Sequence, residues 1–572
     1  MSSEARLKVV LCWHMHQPEY RDRLSGSYQL PWTYLHAIKD YVDMAVVLEN
    51  TPGARAVVNF APILLEQIDD YTKQIQAFLN DRGVISDPLL AALDMPALPV
   101  VPEERMVLIK ACLKVNRNRL INRFAPFRQL AEIADGLIKQ PQTLKYIDEQ
   151  YLVDIVVWYH LAWLGETVRR SDARVKRLIE KGSTYTLHER RELLVIIGEL
   201  MSTVIGRYRA LAECGRVELS VTPYAHPILP LLLDLGAAAE AMPDVRMPVM
   251  SRYPGGMDRA NYHIEEGIAT FRRQFGFTPA GCWPAEGGVS TKALELLARY
   301  GFKWAATGQG VFQNTIKKHG IENNHDRRLH RPYRIGKGDA IACFFRDDGL
   351  SDLIGFTYSD WHADDAVANL VAHLETIANH CAADPDSVVS IILDGENAWE
   401  YYPENGYHFL KALYARLASH PRLELTTFSD ALGGIKETQS LPGVVAGSWV
   451  YGTFSTWIGS ADKNRGWDML CEAKRTFDTA VASGRLADDV KAAAARQLAV
   501  CEGSDWCWWF GDENPAGSVS DFERLYRIHL ASLYQILGEE PPENLSHVVS
   551  HGGGDAAQGG VMRKATEGGK TT

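Results

Sequence analysis

No stretch of the chain approaches the roughly 18 consecutive apolar residues that a membrane-crossing helix needs, so a soluble protein is expected. Positive charge is the minority sign. Lys and Arg total 60 against 71 Asp and Glu, a net charge of -11, which argues against the concentrated basic surface that a nucleic-acid partner requires. The 9 cysteines lie scattered between Cys12 and Cys507 with no CxxC pair. That pattern indicates neither a zinc ribbon nor a redox couple, and the thiols are expected to be reduced and mostly in the core. The opening MSSEARLKVVLCWH lacks a basic segment, a long apolar core and a small-residue cleavage site, so no secretory signal is read there and a cytoplasmic location is expected. No internal repeat is visible.

What is present is 572 residues, 46% hydrophobic and 23% charged, enough for a large core and for more than one domain. Short β-type runs recur as LKVVLC, ARAVVNF, RVELSVT, AGCW, FKWAAT, AIACFF, VVSIILD and LELTTF. Most lead into helical patterns such as PILLEQI, STKALELLARY and NGYHFLKALYARLA. Strand then helix, with strands apolar on both faces, predicts a parallel sheet covered by helices, best met by a barrel of the (β/α) kind. Residues from about 75 to 215 interrupt the alternation with wide helical stripes, read as a helical insertion. Past about 440 the β signal fades into three helical patterns. The expected layout is therefore a barrel over 1–440, a C-terminal helical domain over 441–545 contributing to the cleft, and a disordered Gly-rich tail over 546–572.

In such a barrel the carboxyl ends of the strands converge on one mouth. Reading each apolar run to its end brings His14, His16, Gln17, Asn59, Thr222, His226, Trp283, Glu286, Arg346, Asp347, Asp394 and Glu396 there. His14 and His16 alternate along one strand, so both imidazoles face one cavity. Glu286, in CWPAEGGVS, stands in a turn marked by Pro284 and paired glycines; the plain alternative is that it caps the helix that follows. Asp394 ends the buried run SIILD, where a carboxylate without purpose is costly. Two carboxyls delivered to one mouth by different strands suit glycoside hydrolysis, one attacking the anomeric carbon and the other protonating the leaving oxygen. A separation of about 5 to 5.5 Å would mean retention of configuration. Trp283 offers a face to a pyranose ring, and the imidazoles and amides can bond its hydroxyls. Arg346, Asp347, Asp348 and Asp352 read equally as an ion-pair network at the rim or as substrate contacts.

The segments HMHQP, GRVELSVTPYAHPILP, CWPAE, ILDGEN and WIGSADKNRGW resemble, in that order, the five sequence regions of glycoside hydrolase family 57, the retaining α-glucan-active enzymes. The similarity runs from about position 7 to 540 and takes in EGSDWCWWFGDEN. The resemblance implies a distorted, incomplete (β/α)7 barrel beside a helical domain. It implies Glu286 as nucleophile and Asp394 as general acid/base, His14 and His16 binding sugar in the innermost subsite, and Trp283 and Glu396 beside the dyad. Gln17 and His226 join the substrate-binding set. In the last two segments, Trp457 is expected to contact ligand because Gly459 leaves its ring uncovered, Trp467 to be core, and one ring of DWCWWF, Trp506, to reach the cleft.

Within the family, ILDGENAWEYYPENG keeps the DGEN form and lacks the DTELFGH type of continuation, which argues against branching activity. The expectation is α-1,4-glucan hydrolysis of amylase or amylopullulanase type, with α-1,6 bonds open as further substrates. The alternatives are a 4-α-glucanotransferase with the same dyad, a noncatalytic glucan-binding protein, and a metal-dependent deacetylase or amidohydrolase, since HxH at a strand end also suits zinc with His226 and Asp394. No motif demands a metal or cofactor.

Overall fold

A strand apolar on both faces is stable only between two packed layers, and the first strand illustrates this. In the computed structural model, which describes residues 6–321, 329–336, 340–435, 438–554 and 562–564, β1 (Leu7–Met15) is buried almost throughout. Its Val9, Leu11, Trp13 and Met15 pack outward among the helices, while Val10 and Cys12 alternate inward. The inward set meets Val57, Trp283, Trp304, Ala306, Phe344 and Ile392 in a small separate core inside the sheet.

The remaining strands are β2 (Ala56–Phe60), β3 (Val217–Val221), β4 (Gly281–Cys282), β5 (Trp304–Thr307), β6 (Tyr333–Ile335), β7 (Ile341–Phe345), β8 (Val388–Asp394), β9 (Leu423–Leu425) and β10 (Gln439–Leu441). Their order is β10-β6-β7-β5-β4-β3-β2-β1-β8, with β9 also on β1, and every pairing is parallel except β6 with β7. Beyond the end of β7, Arg346 forms a parallel bridge with Ser390 of β8. That bridge brings β1, β2, β3, β4, β5, β7 and β8 into a curled, incompletely closed ring, the distorted (β/α)7 barrel expected. The distortion has a cause: β1 is flanked on one side by β8, and on the other by β9 at its start and β2 at its end.

The segment between β2 and β3 is helical, as its stripes predicted, from Pro62–Leu79 through Leu187–Glu213. Within it, Glu149–Trp163 is buried on nearly every face, as befits a helix apolar all round. Asp43 ties the insertion to the barrel, accepting hydrogen bonds from the backbone of Glu166 (2.6 Å) and Thr167 (2.9 Å) and from Asn405 Nδ2 (2.8 Å).

The C-terminal helices are Ala461–Ala482, Asp488–Cys501 and Ala516–Ile536, with the short Asp505–Trp509 among them. A buried carboxylate fastens them to the barrel helix Gly256–Phe275. Glu502 meets Arg259 (2.8 Å) and His263 (2.8 Å) and accepts from the Tyr253 hydroxyl. Burial alone would raise its pKa, but Arg259 and His263 overcome that and hold it down to about 2.

The tail departs from the expectation of disorder over 546–572 where it is described. Val549 and Ser550 are buried, and the amides of Gly553 and Gly554 both donate to Asn514 O at 3.0 Å. Met562 and Arg563 are partly buried while Lys564 is exposed, and 555–561 and 565–572 lie outside the described residues. All nine cysteines are free thiols, seven of them buried. Among the described residues no helix is long and apolar enough to cross a membrane.

Candidate active site

The inward period of β1 runs Val10, Cys12, His14, so His14 arrives at the barrel mouth above the inner core. Across the sheet its Cα partners are Asp394 of β8 and Asn59 of β2. Gly395 then turns the chain while donating to His14 O (2.7 Å), and a Cβ there would lie 2.1 Å from Met15 Sδ. Only glycine fits between the two strands at this level.

Glu286 is carried by the irregular turn that follows β4, as Pro284 and the paired glycines predicted, and it adopts a left-handed φ of 58°. A bulky residue in that region is strained, and such strain gathers at functional sites. Its Oε2 accepts from Trp449 Nε1 (3.1 Å), its Oε1 accepts from Ser504 Oγ (3.2 Å), and its carbonyl accepts from Trp449 N (3.1 Å). Burial, then the negative charges of Asp394 and Asp505, push its pKa up to about 8 against those two side-chain donors. Burial likewise raises Asp394 to about 6, opposed by the Asn397 amide (2.9 Å) and by the charges nearby. The pair therefore holds one proton near neutral pH, chiefly on Glu286 while the cleft is empty.

Three imidazoles stack beside the dyad. The ring centroids of His16 and His226 are 3.7 Å apart and those of His14 and His226 are 5.0 Å apart. His14 Nδ1 meets Asn59 Oδ1 (2.7 Å) and its Nε2 meets His226 Nε2 (3.0 Å). Burial first, then the neighbouring imidazoles, lower His14 to about 3 and His226 well below its ordinary value, so both are neutral at pH 7. The Ser504 hydroxyl stands between His226 Nδ1 (2.8 Å) and Glu286 Oε1 (3.2 Å). Its single proton serves one of them at a time, and turned toward Glu286 it supports the carboxylate form.

Glu396 lies under the site with Oε1 accepting from His16 N (3.2 Å), Gln17 Nε2 (2.9 Å) and Tyr41 OH (3.2 Å). Its Oε2 is buried with no partner among the described residues. Burial, then the charge of Asp394, push its pKa upward against the Gln17 amide and the His16 backbone N–H.

His14, His16, Gln17, His226, Glu286, Asp394 and Glu396 all line one cavity of about 480 Å³. The aromatic walls are not the ones predicted. Trp283 is fully buried in the inner core beneath the imidazoles, its ring edge-on to Trp449, so it is a floor support and offers no face to the cavity. Trp457 is also fully buried: Trp508 lies 5.9 Å from its ring and Trp467 Nε1 donates to its carbonyl, covering the face that Gly459 was expected to leave bare. Trp467 is core, as its stripe indicated. Trp506 turns inward among the C-terminal helices, donating to Val500 O (2.8 Å), and it is Trp508 and Trp509 of the same cluster that reach the cleft.

Sequence reasoning missed Trp449, Ser504 and Asp505. Asp505 Oδ1 bonds His16 Nε2 at 2.7 Å and lines the cavity. The signal available was its place at the head of the aromatic cluster, one residue before the rings. Arg346 resolves as a rim network, paired with Asp348 (2.7 Å) and Asp352 (2.9 Å), and its guanidinium lies 5.3 Å from the ring of Trp449. Among the described residues, His16, His226 and Asp505 bring possible metal-ligand atoms within 4.8 Å of one another. In this arrangement two of those atoms already bond each other, His16 to Asp505.

A model of glycosyl hydrolase family 57 matches residues 10–442 of the chain. Solved structures share the fold, among them the following. A family 57 branching enzyme from Thermococcus kodakaraensis aligns with a TM-score of 0.57 and 16% identity, over 93% of this chain and 90% of that one. The α-amylase AmyC from Thermotoga maritima aligns with a TM-score of 0.54 and 14% identity, over 94% and 95%. A 4-α-glucanotransferase from Thermococcus litoralis aligns with a TM-score of 0.51 and 14% identity, over 93% of this chain but 60% of that one.

Proposed function

We propose, from the premise that the chain belongs to glycosyl hydrolase family 57, that it is a retaining enzyme cleaving the α-1,4 bonds of α-glucans through a covalent glycosyl-enzyme intermediate. Its activity is of the amylase or amylopullulanase type, with α-1,6 bonds as a second substrate class. The observation that carries it is a pair of buried carboxyls, Glu286 and Asp394, opening into one cavity and sharing one proton near neutral pH.

Glu286 is the nucleophile. The Trp449 indole and Ser504 hydroxyl are aimed at its two oxygens and favour the charged form that attack requires. Asp394, level with His14 across β1 and β8, gives its proton to the leaving oxygen and later takes one from the attacking water. Neutral His14 and His226, with His16 and Gln17, present ring nitrogens and an amide to the sugar hydroxyls, and Asp505 adds a carboxylate. Glu396, held by Gln17, Tyr41 and the His16 backbone, positions the strand end that carries Asp394.

A second reading, 4-α-glucanotransferase, rests on Trp508 and Trp509, two indoles that line the same cavity as Asp394. A sugar stacked there can attack the ester in place of water. The time-resolved product profile from maltoheptaose separates the two, because hydrolysis gives shorter sugars alone and transfer also gives longer ones. Glu286→Ala and Asp394→Ala should each lower turnover by orders of magnitude, with azide partly restoring the first by attacking from the vacated face. Near-normal turnover in Glu286→Ala would overturn the mechanism.

A further inference from the structure

The dyad occupies the inner part of the catalytic cavity. Its outer part is walled by the loop after β1, the short helix Trp32–His36, the helical insertion and the C-terminal helix Ala516–Ile536. The contacts of these segments close into a ring. The C-terminal helix stands on the β1 loop, where Phe522 meets the ring of Tyr20 at 6.2 Å and His529 Nε2 donates to Glu19 O (3.0 Å). The loop runs on into Trp32–His36, which packs on the insertion helix Glu149–Trp163. There the Tyr34 hydroxyl bonds His160 Nε2 (3.0 Å), and the rings of Trp32 and His36 lie against Trp163. Helix Pro102–Ala111 packs on the same insertion helix with Leu108 and Ile109 buried, and Arg105 Nη2 donates to Ile147 O (2.8 Å) and Asp148 O (2.9 Å) at its start. Just past Ala111, Lys114 Nζ reaches Asp521 Oδ2 of the C-terminal helix at 2.6 Å and completes the circuit.

Tyr20, Trp32, His36, Lys114, Asp521 and Phe522 all line the cavity that holds Glu286 and Asp394, so a strand bound across the dyad extends into the space that the ring bounds. The links differ in kind. Tyr20, Phe522, His529, Tyr34, His160 and Trp163 are buried, whereas the side chains of Lys114 and Asp521 are 49% and 35% exposed. An exposed ion pair contributes little and is screened by salt, so this is the link that parts most readily. A closed circuit admits a strand by its end, and a circuit with one link missing is a groove into which a strand is laid sideways.

We propose that Lys114 and Asp521 determine specificity for chain ends: their ion pair closes the outer end of the cleft over the bound glucan, and parting the pair opens that end to strands with no free terminus. This rests on the reading of the protein as an α-glucan enzyme. The pair touches neither carboxyl of the dyad, and it governs which strands reach them.

The test compares kcat/KM on a large cycloamylose, which has α-1,4 bonds and no chain end, with kcat/KM on linear amylose of similar length. Lys114→Ala and Asp521→Ala should each raise the cyclic-to-linear ratio about fivefold, the upper end of what an exposed pair contributes. The double variant Lys114→Asp with Asp521→Lys, which rebuilds the pair with its charges exchanged, should return the ratio to within about twofold of the parent. High salt should raise the ratio in the parent and leave it unchanged in Lys114→Ala. An unchanged ratio in both single variants, or an exchanged pair that behaves like the single variants, overturns the proposal and leaves the glucan reading standing. No turnover of linear amylose by any form overturns the glucan reading and the proposal with it.

Discussion

Replacing Trp449 by Phe removes one donor from Glu286 and little else. The ring remains over Arg346, and the backbone bond from residue 449 to Glu286 O is untouched. A hydrogen bond to a charged acceptor contributes about 1.5–3 kcal/mol, and about 1.4 kcal/mol corresponds to one pKa unit, so losing it should raise Glu286 by about 1–2 units. The direction of the kinetic effect follows from the order of proton loss. Asp394 ionises first, near 6, and Glu286 second, near 8, so the once-protonated pair exists between these values with its proton mainly on Glu286. The productive arrangement, Glu286 charged and Asp394 protonated, is the minor tautomer of that same state. In Trp449→Phe the alkaline limb of the kcat/KM profile should therefore move up from near 8 by about 1–2 units, the acid limb near 6 should stay, and the height of the bell should fall about 10- to 100-fold. The assay is kcat/KM on maltoheptaose from pH 4 to pH 11 for both proteins, with circular dichroism checked at each end. An alkaline limb that does not move would refute the role of the indole in tuning Glu286. Movement of the acid limb instead would reverse the order in which Asp394 and Glu286 lose their protons.

Other perturbations test the surroundings of the dyad. Gly395→Ala forces a Cβ to 2.1 Å from Met15 Sδ and should cost about 1–3 kcal/mol in urea unfolding, with loss of activity as Asp394 shifts. Glu502→Gln leaves Arg259 buried without its counter-charge and should cost about 3–5 kcal/mol by the same measurement. Because Glu502 is depressed to about 2, its contribution is present above the ordinary carboxylate pKa and fades as pH falls from about 4.5 toward 2, so the variant should lose less stability than the parent over that range. Prolonged treatment with a chelator should leave turnover of maltoheptaose unchanged; loss restored by zinc would assign His16, His226 and Asp505 to a metal.

The polar residues that end apolar strands were legible because two local rules suffice to find them. A buried run stops where a polar side chain is tolerated, and a period of two says which way that side chain points, which is how His14, His16 and Asp394 come from one-dimensional text. The irregular turn at Glu286 was legible for a similar reason, since Pro284 and the paired glycines describe backbone shape directly. The aromatic walls were not. Whether a ring is wall or core depends on what else covers it, and Trp457 is covered by Trp508 from a helix much later in the chain, while Trp283 lies beneath the His14 imidazole of another strand. Nor does any pattern in GSWVYG announce that Trp449 will reach back 163 residues to Glu286.

The amino-acid sequence by itself determined the alternation of strands and helices, the helical interruption, and the set of polar groups delivered to one mouth, because each follows from hydrophobic period and backbone preference within a few residues. Only the tertiary structure decided which proton sits on which carboxyl, which indoles face the cleft, and that the glycine-rich end returns to stack Arg563 on Trp508. Those depend on burial and on charges brought together from distant segments, quantities that exist only once the chain has packed against itself.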